Sequence, residues 1–187
     1  MEGGMRWFLK QFNATIVRPL GKGHASFTYL VALPNHGKKI VVKAEKKPSK
    51  RMAMVEKESQ HLLEANALGV GPTLLGHSVE HRLIWMEFIE GKTLKEWVLE
   101  PRSSGEWNRL VHELFRQAKL LDGAGLDHGQ LAGSGKNIIV RSNGMPCIID
   151  FEKASGVRKP HNENQLKSFL IESPHGKMAR CVRTAIG

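Results

Sequence analysis

Cysteine is nearly absent: the 187 residues hold only Cys147 and Cys181. Neither has partners at metal-ligand spacing, which excludes a disulfide scaffold or a zinc ribbon and leaves two buried or incidental thiols. Long apolar runs are missing as well. Nothing approaches the roughly 18 consecutive apolar residues of a membrane span, so no membrane is expected among the partners. The N-terminal MEGGMRWFLKQFNATIV carries an acid at position 2 and charges inside its only apolar stretch, unlike a signal peptide, and the expected location is the cytoplasm. Nine histidines are scattered. His77 and His81 lie four apart in turn-and-strand sequence rather than on a helix, and no zinc site is expected there.

Acid is scarce, with 18 Asp and Glu against 28 Lys and Arg, a formal net charge of +10. The excess is uneven. The stretch GKKIVVKAEKKPSKR, 37 to 51, has Glu45 as its only acid, and six basic residues against two acids follow from Arg158 onward. Such patches attract RNA, acidic substrates or an acidic protein, or simply keep a surface solvated.

The length suits one domain or two small lobes with a real core. No repeat is visible. ATIVRPLGKGHASFTYLVAL, 14 to 33, places apolar and β-branched residues on both sides of a glycine-containing break, and PNHG supplies a turn before KKIVVKAE, so the pattern predicts three strands. MAMVEKESQHLLEANALG then sets Met54, Val55, Glu58, His61, Leu62, Ala65 and Leu68 at helical spacing and stops at Gly69. PTLLGHSVEHRLIWMEFIEG reads as two further strands. Beyond a linker, FIEGKT, the segments TLKEWVLE and GEWNRLVHELFRQAKLLDGAG are helical. The second carries an apolar stripe of Trp107, Leu110, Val111, Leu114, Phe115, Ala118 and Leu121. NIIV and CIID are short strands around RSNGMP, and ENQLKSFLIES is the last helix; SPHGKMARCVRTAIG is expected to be a mobile basic tail. The fold class is therefore α+β. A β-rich lobe with one helix spans 1–90, a reduced, mainly helical lobe spans 91–187, and a cleft is expected at the join.

Several residues in this order can carry chemistry. Gly21 and Gly23, with small residues at 25 and 26, suit a hairpin whose amides approach a polyphosphate; any β-hairpin uses such glycines too. Lys43 ends an apolar strand, where its ammonium reaches phosphates if a carboxylate orients it. Glu58 on the following helix is that carboxylate, because Glu56, two residues away, faces elsewhere. Alone, Lys43 would read as a surface lysine. Glu87 to Ile89, after an apolar strand, offer backbone groups to a purine edge. Asp150 follows two isoleucines at a strand end, a placement that suits a magnesium ion bridging phosphate oxygens.

The ordered set of glycine hairpin, strand lysine, helix glutamate, linker, LDHGQLAGSGKN and IIDFEKAS resembles the protein-kinase superfamily. Over residues 14 to 172 the chain is similar to the small atypical members, the RIO kinases and the minimal kinase of the tRNA-modifying KEOPS complex. It looks closest to short, mostly archaeal kinases of serine/threonine type related to them; IIDFEKASGVRKPHNENQLKSFL carries that likeness. The resemblance implies ATP and magnesium as cofactors, with manganese as the alternative ion. It implies that Lys43 contacts the phosphates, Glu58 orients it, Ser26 and the glycines cover them, Asn137 and Asp150 hold the metal, and Met86 gates the adenine pocket.

Position 130 should then face the substrate hydroxyl. The family places aspartate there, whereas this chain has Gln130, which neither takes a proton nor carries charge. Asn137 lies seven residues later rather than the usual five. Three readings stay open: Asp127 swings in as the acidic group, Gln130 positions the nucleophile without acting as base, or the site binds ATP and transfers slowly or not at all. After Asp150 too little chain follows for a long activation loop and a full peptide-gripping lobe. A docked protein or RNA partner is therefore expected in place of a generic peptide. The expected function is a kinase acting on a Ser or Thr hydroxyl, its own included. The alternatives are a pseudokinase or weak ATPase supporting an RNA or protein assembly and, more remotely, a kinase of small hydroxylated molecules.

Overall fold

The structure is a computed structural model that describes residues 3–23, 25–34, 37–46 and 54–186. Lys47, Lys50 and Arg51 of the lysine-rich stretch, and Asn35 and His36 of the expected turn, lie outside the described residues. The contacts group into two compact units, Met1–Leu63 with Pro72–Phe88, and Glu64–Gly71 with Ile89–Gly187.

Unit 1 is built on an antiparallel sheet of β1 (Thr15–Lys22), β2 (Ser26–Leu33), β3 (Lys38–Glu45), β4 (Leu74–Ser78) and β5 (Leu83–Glu87), in the order β1-β2-β3-β5-β4. The alternation of strand side chains decides what each face does. Val31, Ile40, Val42, Ala44 and Leu83 share one buried face, and Met5 and Phe8 of α1 (Gly3–Gln11) complete that core. Trp7 stacks on His81 with ring centroids 3.9 Å apart, and Phe8 meets Trp85 edge-on. Helix and sheet can approach this closely because position 4 is glycine. A Cβ there would stand 2.0 Å from the His81 carbonyl oxygen. The sequence reading assigned no element to this segment, since two glycines at a chain start carry no helix signal. Its helix is fixed by aromatic packing, not by propensity.

Helix α2 (Met54–Ala67) follows, and Gly69 leaves it in the left-handed conformation at φ +70. Its last turn groups with unit 2. That unit holds α3 (Leu94–Trp97) and α4 (Ser104–Gly123), each opened by a capping box, Thr93 with Glu96 and Ser103 with Glu106. Trp107, Leu110, Leu114, Ala118 and Leu121 of α4 are buried as the stripe predicts, while Val111 and Phe115 are only half-buried. Gln117 joins the core by donating to the Pro146 carbonyl at 2.9 Å.

The expected linker contains a strand. β6 (Gly91–Thr93) pairs with β7 (Ile138–Arg141), which pairs with β8 (Pro146–Ile148). Three residues have no periodicity to read, and only pairing defines them. A 3-10 turn over Phe151–Lys153 comes next, then α5 (Asn162–Lys167), which runs on into a π-helical turn over Ser168–Glu172. The expected mobile tail is instead a helix, α6 (Lys177–Ile186). Met178, Ala179 and Val182 are buried where α6 meets α4, and Arg183 donates to the Ile171 carbonyl at 2.6 Å. Basic composition hid an amphipathic face.

Candidate active site

In unit 1 the candidate residues lie on the sheet face turned away from α1. With Ile40, Val42 and Ala44 directed at the core, Val41 and Lys43 of β3 must point the other way. Cross-strand partners extend that face: Lys43 lies between Thr28 and Ile84, and Val41 between Leu30 and Met86. Lys43 Nζ donates to Glu58 Oε1 at 2.9 Å, with the side chains 10% and 3% exposed. Removing either member of such a buried pair strands a charge and costs about 3–5 kcal/mol. Glu56 is exposed.

Gly21 and Gly23 are exposed at the end of the β1–β2 hairpin, Gly21 opposite Thr28, with Ser26 buried at the start of β2. Lys46 Nζ donates to the Gly23 carbonyl, and its ammonium lies 4.7 Å from the Phe27 ring centroid, with that of Lys22 at 5.9 Å. Cationic charge thus gathers beside the glycines. Met86 is buried. The Glu87 amide donates to the Thr73 carbonyl at 2.9 Å, and its carboxylate accepts from the Thr73 amide and hydroxyl. That amide is therefore committed within unit 1. Ile89 is buried in unit 2.

In unit 2 the end of α4 leads into Leu126 to Gln130. The chain at Asp127 pairs with Ser155 through two backbone hydrogen bonds of 2.9 and 2.8 Å. His128 is fully buried; its ring meets Phe151 edge-on at 4.9 Å, and Nε2 lies 3.0 Å from the Ile149 carbonyl. A carbonyl only accepts, so Nε2 carries the proton. Burial, opposed only in part by that bond and by the Asp150 and Asp127 charges, holds His128 below its ordinary value. The imidazole is uncharged.

A depressed histidine binds its proton in the unfolded chain before it does in the folded one. Below about pH 6.5 unfolding therefore takes up a proton at this site, and stability falls as pH drops. Urea melts at pH 7.5 and 5.5 should show a larger loss for the parent than for His128→Asn, by up to about 1.4 kcal/mol per pH unit. Equal losses would contradict the assignment.

Gly129, at φ +78, has no room for a side chain. A Cβ would sit 2.4 Å from Arg158 Nη2 and 2.8 Å from the Lys153 carbonyl oxygen. The Gln130 side chain that follows is exposed. The Gln130 backbone carbonyl accepts from Asn137 Nδ2 at 3.1 Å, so the seven-residue separation still brings Asn137 back to position 130. The Asn137 carbonyl in turn accepts from the Ile149 amide at 2.9 Å, which sets Asn137 beside the end of β8. Asp150 comes next, at φ 68 and ψ 71, an unusual conformation for a residue other than glycine and one that clusters at functional sites.

These two side chains suit a magnesium ion. With Nδ2 committed to Gln130, Asn137 presents its oxygen, and Asp150 adds a hard carboxylate. No group of three or more His, Cys, Asp and Glu gathers among the described residues. A two-oxygen donor set fits an ion that keeps waters and takes its remaining ligands from phosphate oxygens.

Residues 28–169 match a family model described as the RIO domain. The chain belongs to the RIO family. No curated protein matches it. Among solved structures, the autoinhibited serine kinase domain of the giant muscle protein titin is similar, with a TM-score of 0.65 at 22% identity. The match covers 78% of this chain and 46% of that one, so the chain spans less than half of its length. That likeness shows a protein-kinase fold, and with the RIO domain it makes the chain a kinase-like protein of α+β class. No helix of the described residues is long and apolar enough to cross a membrane.

Asp127 is placed differently from an acid able to swing in. Fully buried, its carboxylate accepts from Arg158 Nε at 2.7 Å and Gln165 Nε2 at 3.3 Å, with His161 Nδ1 3.3 Å away. Those bonds would have to break first. The sequence reading gave no role to Asp122, Asn162 or Gln165 of this RIO domain. Asp122 accepts from the Asn162 and Glu163 amides at 2.9 and 3.0 Å, capping α5 from forty residues upstream. Asn162 accepts from the His128 amide at 2.8 Å and donates to the Leu126 carbonyl at 2.8 Å. Asn162 and Gln165 stand within the RKPHNENQL stretch that carried the resemblance, the only signal that could have singled them out.

Proposed function

We propose that the chain is an ATP- and magnesium-dependent kinase that transfers the γ-phosphoryl group to a Ser or Thr hydroxyl, its own included. The observation that carries the reading is the return of Asn137 to the Gln130 carbonyl, with the Asn137 backbone carbonyl bonded to the Ile149 amide next to Asp150. Lys43, held by Glu58, contacts phosphate oxygens, and the Gly21–Gly23 turn covers them. Met86 borders the adenine. Asn137 and Asp150 hold magnesium, which supplies charge neutralisation for the phosphates when bound. Because phosphoryl transfer depends mainly on positioning and electrostatics, this machinery supports turnover without a strong base at position 130.

One residue favours a second reading, ATP binding without useful transfer in support of a protein or RNA assembly: Gln130 itself. The test is phosphate incorporation from γ-labelled ATP with Mg²⁺ or Mn²⁺, parent against Lys43→Ala, at a temperature where melts show the variant to be folded. Incorporation by the parent that falls roughly 10²-fold in the variant, the scale of one positioned donor, supports the kinase. A parent that binds ATP and labels nothing, with or without candidate protein partners, supports the second reading.

A further inference from the structure

We infer that Gln165 is a positioning residue, which fixes the start of the 130–137 loop and thereby the place of position 130. This rests on the kinase reading and adds the part that holds its enlarged loop. A loop two residues longer than usual has more conformations to lose, and something must select one. The far end of the loop is fixed to the unit's frame by the Lys95 and Ile149 amides, which donate to the Gly135 and Asn137 carbonyls at 3.3 and 2.9 Å. Gln165 fixes the near end. From α5 its Oε1 accepts from the amides of Leu131 and Ala132 at 3.0 and 3.4 Å, the two residues immediately after Gln130. Its Nε2 donates to Asp127 Oδ1 at 3.3 Å, three residues before Gln130, and stands 3.2 Å from His161 Nε2. One side-chain amide therefore grips the chain on both sides of position 130.

The grip is itself held. Asp127 is fully buried and anchored by Arg158, which also donates to the Lys153 carbonyl at 2.6 Å. The helix presenting Gln165 is capped by Asp122, and Asn162, one turn earlier, accepts from the His128 amide at 2.8 Å. Leu131 is buried, so its amide has no ready water to replace a lost acceptor. This gives Asp127 its work as well. It is the fixed anion that orients the Gln165 amide, oxygen toward the loop and nitrogen toward the carboxylate.

The experiment has three arms on the full chain. In steady-state phosphoryl transfer, Gln165→Ala should lower kcat about 10- to 10²-fold, the scale of a displaced reacting group, with KM for ATP within about twofold of the parent. In hydrogen exchange, the Leu131 and Ala132 amides should exchange faster in Gln165→Ala while those of α4 keep their protection. In the third arm, Gln165→Glu sets like charges together and should lose kcat, and adding Asp127→Asn should restore most of it. The amide at 127 then donates to the carboxylate at 165 and keeps its oxygen for Arg158. An unchanged kcat in Gln165→Ala overturns the inference, as does a loss that comes with faster exchange throughout the unit, or a double variant no better than Gln165→Glu alone. If the parent itself transfers nothing, the proposed kinase fails, and the exchange arm alone decides whether Gln165 holds the loop.

Discussion

Replacing Asp150 by alanine should lower phosphoryl transfer roughly 10³-fold or more. The magnitude is that of withdrawing a metal's charge stabilisation from a transition state, several kcal/mol, at about 1.4 kcal/mol per tenfold in rate. Asp150 is half-buried at the end of β8, and it opens the following 3-10 turn without a side-chain capping bond. A residue other than glycine at φ 68 costs about 1–3 kcal/mol relative to relaxed backbone, a cost that alanine would also bear. Asp150→Gly should therefore be more stable than Asp150→Ala, and thermal melts run beside the assay separate a loss of transfer from a loss of fold. Transfer that survived in Asp150→Ala would remove the metal site from the reading, whatever happened to stability.

The first arm of the site, Lys43 with Glu58, was legible in the sequence because both residues sit on long periodic elements. The run IVV fixes the strand, and helical spacing separates Glu58 from Glu56. The five strands of unit 1 and the two longer helices α2 and α4 were readable on the same grounds. What resisted reading is held by partners far along the chain. β6 exists through its pairing with β7, α5 is capped by Asp122, and α1 forms against Trp85 and His81. A hydrogen bond across forty residues leaves no local mark on either end. The same holds for Asp127, whose acidity looked available beside Gln130 until Arg158 and Gln165 proved to occupy it.

Gln130→Asp is the second large effect, an expected gain of about 10²- to 10⁴-fold in transfer, the range of general-base assistance. Its interpretation is direct because the substitution leaves the backbone of the loop unchanged. Gln130 is exposed, and the bond that matters to the loop is made by its backbone carbonyl, which accepts from Asn137 and persists in any variant. Gly129 before it and the Gln165-bound amides of Leu131 and Ala132 after it fix where the new carboxylate would stand. Stability should move by no more than about 0.5 kcal/mol, as for other exposed substitutions. A change in rate therefore reports chemistry rather than folding. The expected gain would identify Gln130 as a brake on an otherwise assembled site, with the parent a slow kinase or a holder of ATP. An active parent that gains nothing from aspartate would mean that glutamine already orients the nucleophile, and that the hydroxyl's proton leaves without help from position 130. Since Asp127 is bound on both oxygens, it cannot take that proton in the arrangement seen here, and the phosphoryl oxygens or water become the acceptor.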